Sequence, residues 1–413
     1  MKTELRLKDL GSFKTGLTYS PDNLCEADEG ALVLRSANIQ NDKIDLNDCV
    51  YVDSKLSPAM YVRKGDILIC SRNGSANLVG KTAIIDRDLN ATWGAFMMLL
   101  RTKYNSSYIN YLLNIVIRRE KGRFATSTIN QLTNSMLGGI HVDVFTDEVE
   151  QQRIVDYLDK KLATIDHRVE VLEKEKDAYA RLKKSVINQA VTRGLNPNVS
   201  LKDSGIDWIG MIPEHWELMR IKDVVSINKD SLGEDTDETY KFRYIDISNV
   251  SSEGEITLSD EMYFYDAPSR ARRIVRKGDV IVSTVRTYLR AIAQIDFEAK
   301  DIIASTGFAV LSPKECMCSS YLAYVIRSSC IVDSICAQST GVSYPAISSS
   351  KLSAIDMPLP SLSEQQAIAD YLDEKCAKID AAIENISKQI EASKRLKKAV
   401  INEAISGKVF VTT

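Results

Sequence analysis

The stretch Glu150-Gln151-Gln152-Arg153-Ile154-Val155-Asp156-Tyr157-Leu158-Asp159 occurs twice. It returns as Glu364-Gln365-Gln366-Ala367-Ile368-Ala369-Asp370-Tyr371-Leu372-Asp373, and the register then runs on without a gap. Ile165-Asp166 meets Ile379-Asp380, and Arg181-Leu182-Lys183-Lys184-Ser185-Val186-Ile187-Asn188 meets Arg395-Leu396-Lys397-Lys398-Ala399-Val400-Ile401-Asn402. Between residues 150–193 and 364–407, 23 of 44 positions are identical, far above chance at one fixed offset. The same offset relates Arg6-Leu7-Lys8-Asp9-Leu10 to Arg220-Ile221-Lys222-Asp223-Val224. One residue out of that register, Val62-Arg63-Lys64-Gly65-Asp66-Ile67 meets Val275-Arg276-Lys277-Gly278-Asp279-Val280. Elsewhere the upstream regions diverge, so the order is variable unit, fixed unit, variable unit, fixed unit.

The fixed units read as helices. Leu158, Leu162, Ile165, Val169 and Leu172 step by four and three, as do Leu372, Cys376, Ile379, Ile383 and Ile386. That is a narrow coiled-coil seam rather than a broad globular stripe. A continuous helix of this length would run roughly 60 Å. Gly194 and Pro197 stop the first and Gly407 the second. A long seam exposed to water needs a partner, and the nearest candidate is the other copy. A pseudo-two-fold relation makes the two helices antiparallel, with a variable domain towards each end. The plainer alternative is two separate helices, each packed on its own domain.

The variable units read as mixed α/β. Gly65-Asp66-Ile67-Leu68-Ile69-Cys70 and Gly278-Asp279-Val280-Ile281-Val282-Ser283 follow turn glycines and are strand-like, and Tyr108 to Arg119 and Tyr321 to Arg327 are helical by apolar spacing. Residues 194–216 are rich in Gly, Pro, Asn and Ser and read as a linker. The expected fold class is α+β, with variable domains over 1–148 and 217–361, helices over 149–193 and 362–406, and a tail from 407.

The chain has 413 residues, with 44% hydrophobic and 26% charged, which is ordinary globular composition for two or three domains. A net charge of -3 excludes a uniformly basic nucleic-acid coat but not local basic patches. The first residues carry no apolar signal core, and the apolar run Ala95 to Leu100 is too short to span a bilayer. A cytoplasmic protein without membrane contact is expected. The eight cysteines include no Cys-x-x-Cys pair and read as free thiols. Cys316-x-Cys318 without a nearby histidine is poor material for zinc, so no metal site is expected.

Catalytic motifs are missing. Gly74 to Gly80-Lys81-Thr82 resembles a phosphate loop, but five residues separate its glycines where the cradle needs four. No Gly-x-Gly occurs, and the one Asn-Pro, Asn196-Pro197, is followed by Asn198 rather than the Pro-aromatic of an amino-methyltransferase pocket. Pro21-Asp22 and Asp53-x-Lys55 make a weak nuclease cluster.

Nucleic-acid contact is better supported. Arg270, Arg272, Arg273, Arg276, Lys277, Arg286 and Arg290 stand against Asp279 alone, and Arg101, Lys103, Arg118, Arg119, Lys121 and Arg123 against Glu120 alone. Such faces can neutralise phosphates. Beside them lie polar loops of the kind that read base edges. In the first variable unit the candidate DNA contacts are Ser71, Arg72, Asn73, Ser75, Lys81, Arg123, Thr126, Ser127, Asn130 and Gln131. In the second they are Thr284, Arg286, Tyr288, Arg290, Gln338, Ser339, Thr340, Ser343 and Tyr344. Corresponding loops with different letters suit two domains that read different half-sites.

This layout resembles the specificity subunits of Type I restriction-modification systems, over essentially the whole chain. The paired Glu-Gln-Gln-x-Ile-x-x-Tyr-Leu-Asp helices carry the resemblance most specifically. Next comes Asp203-Ser204-Gly205-Ile206-Asp207-Trp208-Ile209-Gly210-Met211-Ile212-Pro213-Glu214-His215-Trp216, whose end looks like the family's lead-in to a target recognition domain. The resemblance implies two target recognition domains held apart by an antiparallel helical spacer, in a chain that is itself non-catalytic. It implies double-stranded DNA, two modification subunits and restriction subunits as partners. S-adenosylmethionine, ATP and Mg would reside on those partners, none on this chain, and the complex would methylate adenine at an asymmetric bipartite site or cleave DNA at a distance. Members often carry the lead-in before the first recognition domain too. Here the chain starts near where that lead-in would end, so a shortened N-terminal arm is expected. The rival readings are a coiled-coil scaffold without a DNA role and a self-contained methyltransferase-endonuclease.

Overall fold

A computed structural model describes residues 2–53, 55–75, 77–124, 131–341 and 344–409. The chain forms two compact units, residues 1–172 with 389–413 (unit 1) and residues 173–388 (unit 2). Both are α+β, built on one four-stranded antiparallel sheet topology. In unit 1 its order is Gly11–Thr15, Met97–Thr102, Ile67–Cys70, Thr82–Ile84; in unit 2 it is Val225–Ile227, Phe308–Pro313, Val280–Ser283, Ile292–Gln294. Ile67–Cys70 and Val280–Ser283 are buried at every position, which is why they read as unbroken apolar runs rather than alternating ones. Gly65 and Gly278 precede them at φ +89° and +93°, a region open to glycine. The next residues, Asp66 and Asp279, accept the backbone N–H of Arg63 and Arg276 at 2.8 and 2.7 Å. The repeated Val-Arg-Lys-Gly-Asp is thus a turn closed by its own carboxylate.

A second sheet in each unit shares one parallel pair, Ala31–Leu34 with Ala91–Trp93 and Lys241–Ile245 with Ile302–Ser305. The outer strands differ. Unit 1 extends through Tyr51–Val52 to Leu24–Cys25, whereas unit 2 adds Glu261–Tyr263 on one side and Ala271–Ile274 on the other. Divergence in sequence therefore falls on the periphery of a common frame.

A two-stranded ladder then hands the chain to each long helix. Lys2–Arg6 pairs with His141–Phe145 before helix Glu148–Arg193, and Glu217–Arg220 pairs with Asp356–Leu359 before helix Leu362–Ser406. Ser361 and Glu364 cap the second helix reciprocally, Ser361 N–H to Glu364 Oε2 at 3.2 Å and Glu364 N–H to Ser361 Oγ at 3.3 Å. Gly194 and Gly407 end the helices at φ +69° and +71°.

The Glu-Gln-Gln-x-Ile-x-x-Tyr-Leu-Asp repeat is a docking device. Gln151, fully buried, accepts Asn105 N–H at 2.9 Å and donates to the Phe145 carbonyl at 2.5 Å. Gln365, equally buried, accepts Cys318 N–H at 2.8 Å and donates to Cys316 and Pro360 carbonyls at 3.0 and 2.9 Å. At the other end of the motif, Asp159 and Asp373 accept the hydroxyls of Tyr111 and Tyr324 at 2.8 and 2.6 Å. Burial and the adjacent carboxylate push both phenols well above their ordinary range. Each helix start is thereby fixed to the sheet-backing helix of its own unit.

Each unit contains a piece of both long helices. In unit 1, Leu158, Leu162 and Ile165 share a core with Ile401, Ala404 and Ile405; in unit 2, Ile368, Ala369 and Leu372 share one with Ala190 and Val191. This sets aside the reading of two helices each packed only on its own domain. Asp166 pairs with Lys397 at 2.7 Å while Arg168 meets Gln389, so advancing along one helix retreats along the other: the pairing is antiparallel. Unit 2 repeats the ion pair as Asp380 with Lys183 at 2.7 Å. Of the seam positions, Val169 and Ile383 are half-buried and the other eight are buried.

The segment 194–216, read as a linker, folds as a hairpin of Leu201–Asp203 and Met211–Pro213. Ile209, Ile212 and Trp216 enter the unit 2 core. His215 and Trp216 bond Glu364 at 2.8 and 3.4 Å. Burial opposes ionisation of Glu364, but the hydrogen bonds from His215, Ser361 and Trp216 outweigh it and hold the carboxyl below its ordinary range. The Ile-Pro-Glu-His-Trp sequence is therefore a latch on the capping box of the second helix.

Candidate nucleic-acid interface

In unit 1 the strand Ile67–Cys70 runs straight into the polar loop. Ser71 and Arg72 both donate backbone N–H to the Phe96 carbonyl at 3.0 Å. Leu132 N–H bonds the Ser71 carbonyl at 2.7 Å, and Arg72 bridges to Gln131. These bonds bring together two loops that sequence placed about sixty residues apart. Asn73 donates to Ser36 Oγ at 3.1 Å and accepts Ser75 N–H at 2.9 Å, a side chain holding its own turn. A cleft of about 1450 Å³ opens here, lined by Ser71, Arg72, Asn73 and Gln131 with Phe96, Thr133 and Asn134. Its described lining contains two cations, Arg35 and Arg72, and no carboxylate. Arg35 is committed to Asp48 at 2.9 Å. Arg72 instead lies over the Phe96 ring, its Cζ 5.3 Å from the centroid.

Unit 2 builds the same junction. Ile347 N–H bonds the Thr284 carbonyl at 2.8 Å, as Leu132 does to Ser71, and Val285 bridges to Ala346, as Arg72 does to Gln131. Thr133 and Ser348 next cap equivalent short helices, accepting Met136 and Lys351 N–H at 3.2 and 3.3 Å. The loops are zipped by Thr287 and Ser339 hydroxyls at 2.9 Å. Arg286 adopts φ +50° and Arg290 φ +54°, conformations that cost non-glycine residues energy and mark a held loop. Arg286 lies over the Tyr344 ring at 4.7 Å.

The candidate contacts separate by what their side chains already do. The Thr284 hydroxyl is bonded to the Gly307 carbonyl, Gln338 to Ser334 and Ser339 to the Ile335 carbonyl. Arg290 pairs with Asp333 at 3.6 Å. Lys81 sits half-buried on the strand side of its loop and does not line the cleft. Ser75 and Gln131 in unit 1, and Arg286, Tyr288, Thr340 and Tyr344 in unit 2, are exposed. Thr126, Ser127, Asn130 and Ser343 lie outside the described residues, as does the side chain of Arg123.

The basic faces are smaller than composition suggested. Arg101 makes a two-pronged pair with buried Asp66 at 2.8 and 2.6 Å. Arg119 meets Glu120 and Lys277 meets Glu298, both at 2.9 Å, and Arg276 is bonded to Asp230. Sequence reasoning also missed Phe96, which is 60% exposed inside a run whose next four residues are buried. Among the described residues no group of three or more His, Cys, Asp or Glu converges as a metal site, and no helix is long and apolar enough to cross a membrane.

Fold and loops together define a class: a twice-built α+β recognition protein, each unit carrying a polar loop pair at the end of a central strand of its sheet. The chain belongs to the family described as the Type I restriction modification DNA specificity domain, which it matches twice, over residues 2–174 and 213–392. It is 27% identical over 405 residues to the MjaX protein of Methanocaldococcus jannaschii, provisionally named a type I restriction enzyme specificity subunit, covering 93% of this chain and 88% of that one. The MjaVIII specificity subunit of the same organism is 24% identical over 85% of this chain and 81% of its own. Among solved structures, a chain from a study of assembly and conformational transition in the type I R-M system aligns with a TM-score of 0.73, at 15% identity over 98% of this chain and 97% of its own. The HsdS subunit from Thermoanaerobacter tengcongensis aligns at 0.51, 15% identical over 99% and 97%.

Proposed function

We propose that this chain is the DNA-reading subunit of a Type I restriction-modification complex. Each unit reads one half of an asymmetric bipartite target in double-stranded DNA, and the helices set the gap and dock two modification subunits. Chemistry resides elsewhere: the modification subunits bring S-adenosylmethionine, and restriction subunits bring ATP and Mg. One observation carries the reading. The same backbone junction is built twice, at Ser71–Leu132 and Thr284–Ile347, and presents different side chains each time. A scaffold gains nothing from a duplicated frame with divergent loops.

Methylated adenines mapped in cells expressing the chain with its modification subunits test this. The expected motif is bipartite and asymmetric. Insertion of seven residues after Leu172 and after Ile386 keeps the seam in phase. It adds about 10 Å of helix, so the gap should widen by roughly three base pairs at 3.4 Å each, with the half-sites unchanged. A continuous motif, or a gap indifferent to the insertion, would refute the assignment of roles. Methyl transfer by the purified chain alone would refute its non-catalytic part.

A further inference from the structure

Arg72 and Arg286 share an arrangement that the fold does not require. By the backbone bonds, Ser71 corresponds to Thr284 and Arg72 to Val285, so Arg286 stands one position further on, in the place of Asn73. The two rings come from unrelated places as well, Phe96 from the loop before a central strand and Tyr344 from the returning loop. Yet both guanidinium groups end over an aromatic ring, Cζ 5.3 and 4.7 Å from the centroids. Arg272 also lies over a ring, Phe264, but its guanidinium already donates to the Ala271 carbonyl at 3.2 Å. Among the described residues, neither Arg72 nor Arg286 has a side-chain hydrogen bond or ion pair, although neighbouring Arg35 and Arg290 are each bound to a carboxylate.

Phosphate neutralisation needs only a charge, for which a mobile side chain suffices. A ring beneath the guanidinium does something else: it fixes the plane and leaves the N–H edge free. A planar two-pronged donor matches two acceptors lying in one plane, and in the major groove guanine offers that pair as O6 and N7. We propose that Arg72 and Arg286 each read a guanine in the half-site of their own unit, with Phe96 and Tyr344 as the platforms that orient them. This rests on the DNA-reading function above.

The full-length chain, assembled with its modification subunits, is titrated with duplexes of its mapped target. In these, 7-deazaguanine, which lacks the N7 acceptor, replaces one guanine at a time. One guanine in each half-site should weaken binding roughly three- to tenfold when replaced, the loss expected when one prong of a two-pronged base contact is removed and the O6 prong remains. Arg72→Lys, which keeps the charge and loses the fork, should make the first of these guanines indifferent to replacement, and Arg286→Lys the second. Phe96→Leu and Tyr344→Leu should reduce the same discrimination without changing which base matters. The deazaguanine arm needs no variant, so misfolding cannot mask the answer. A bipartite target with no sensitive guanine, or Arg→Lys variants that weaken all DNA equally, overturns the guanine assignment while DNA reading stands. Failure to assemble, or binding without sequence preference, overturns the reading on which it rests.

Discussion

Replacing Gln365 with alanine should release the start of the second long helix from the segment that leads into the sheet-backing helix Ser319–Arg327. The side chain is fully buried and makes three hydrogen bonds, one from Cys318 N–H and two to the carbonyls of Cys316 and Pro360. Each such bond contributes about 1 kcal/mol net, and a stranded buried group costs about 1–3 kcal/mol. Three partners lose their mate together, so the local cost is about 3 kcal/mol, with water entering the vacated space limiting it from above. At 1.4 kcal/mol per tenfold, hydrogen exchange across residues 362–372 should accelerate roughly hundredfold. Gln366 is the internal control. It is exposed, bonds Asp370 on its own helix at 2.8 Å and meets Cys318 only through a long, exposed thiol contact at 3.6 Å, so Gln366→Ala should change exchange only slightly. Gln151→Ala should act on residues 148–158 as Gln365→Ala does on 362–372. Peptide-resolved exchange by mass spectrometry reads all three variants. Equal, small effects of Gln365→Ala and Gln366→Ala would show that burial of the first glutamine does not carry the docking.

Arg101→Ala leaves Asp66, 3% exposed, without its cation, and should destabilise unit 1 by about 3 kcal/mol or more in urea unfolding. Asp279, the counterpart of Asp66, differs: burial pushes its carboxyl up, so neutral Asp279→Asn should be tolerated where Asp66→Asn, which unpairs Arg101, is not. Glu364 is held below its ordinary range, so its contribution is present above the unfolded carboxylate value of about 4.3 and is lost as pH falls through the lower folded value. Glu364→Gln should flatten that acid limb in melting temperatures between about pH 5 and 3 and lower stability at neutral pH. Asp166→Lys should destabilise unit 1 and Asp166→Lys with Lys397→Asp should restore it, whereas pairing Asp166→Lys with Lys183→Asp should not.

The helices were legible because a seam of Leu158, Leu162 and Ile165 has a period that no strand shares. The central strands were legible because burial on both faces leaves an apolar run such as Ile67–Cys70. What failed depended on partners far away in the chain. Arg101, Arg276, Lys277 and Arg290 looked like a basic face because their acids, Asp66, Asp230, Glu298 and Asp333, lie 21 to 46 residues distant. Segment 194–216 looked like a linker because its Gly and Pro set the turns of a hairpin, while Ile209, Ile212 and Trp216 carried the core contact unnoticed.

The repeat itself shows the limit most clearly. Aligning the copies sets Asp166 against Asp380 and Lys183 against Lys397, like with like. The antiparallel pairing joins unlike with unlike, Asp166 to Lys397 and Asp380 to Lys183. One Asp and one Lys, repeated once, therefore make two ion pairs, each within one unit, and a parallel alignment would join neither. The charges add little energy, being partly exposed. They select direction and register, leaving the apolar seam to supply the free energy of association. The aligned residues are thus halves of two contacts, and the sequence repeat is intelligible only once the second helix is turned round.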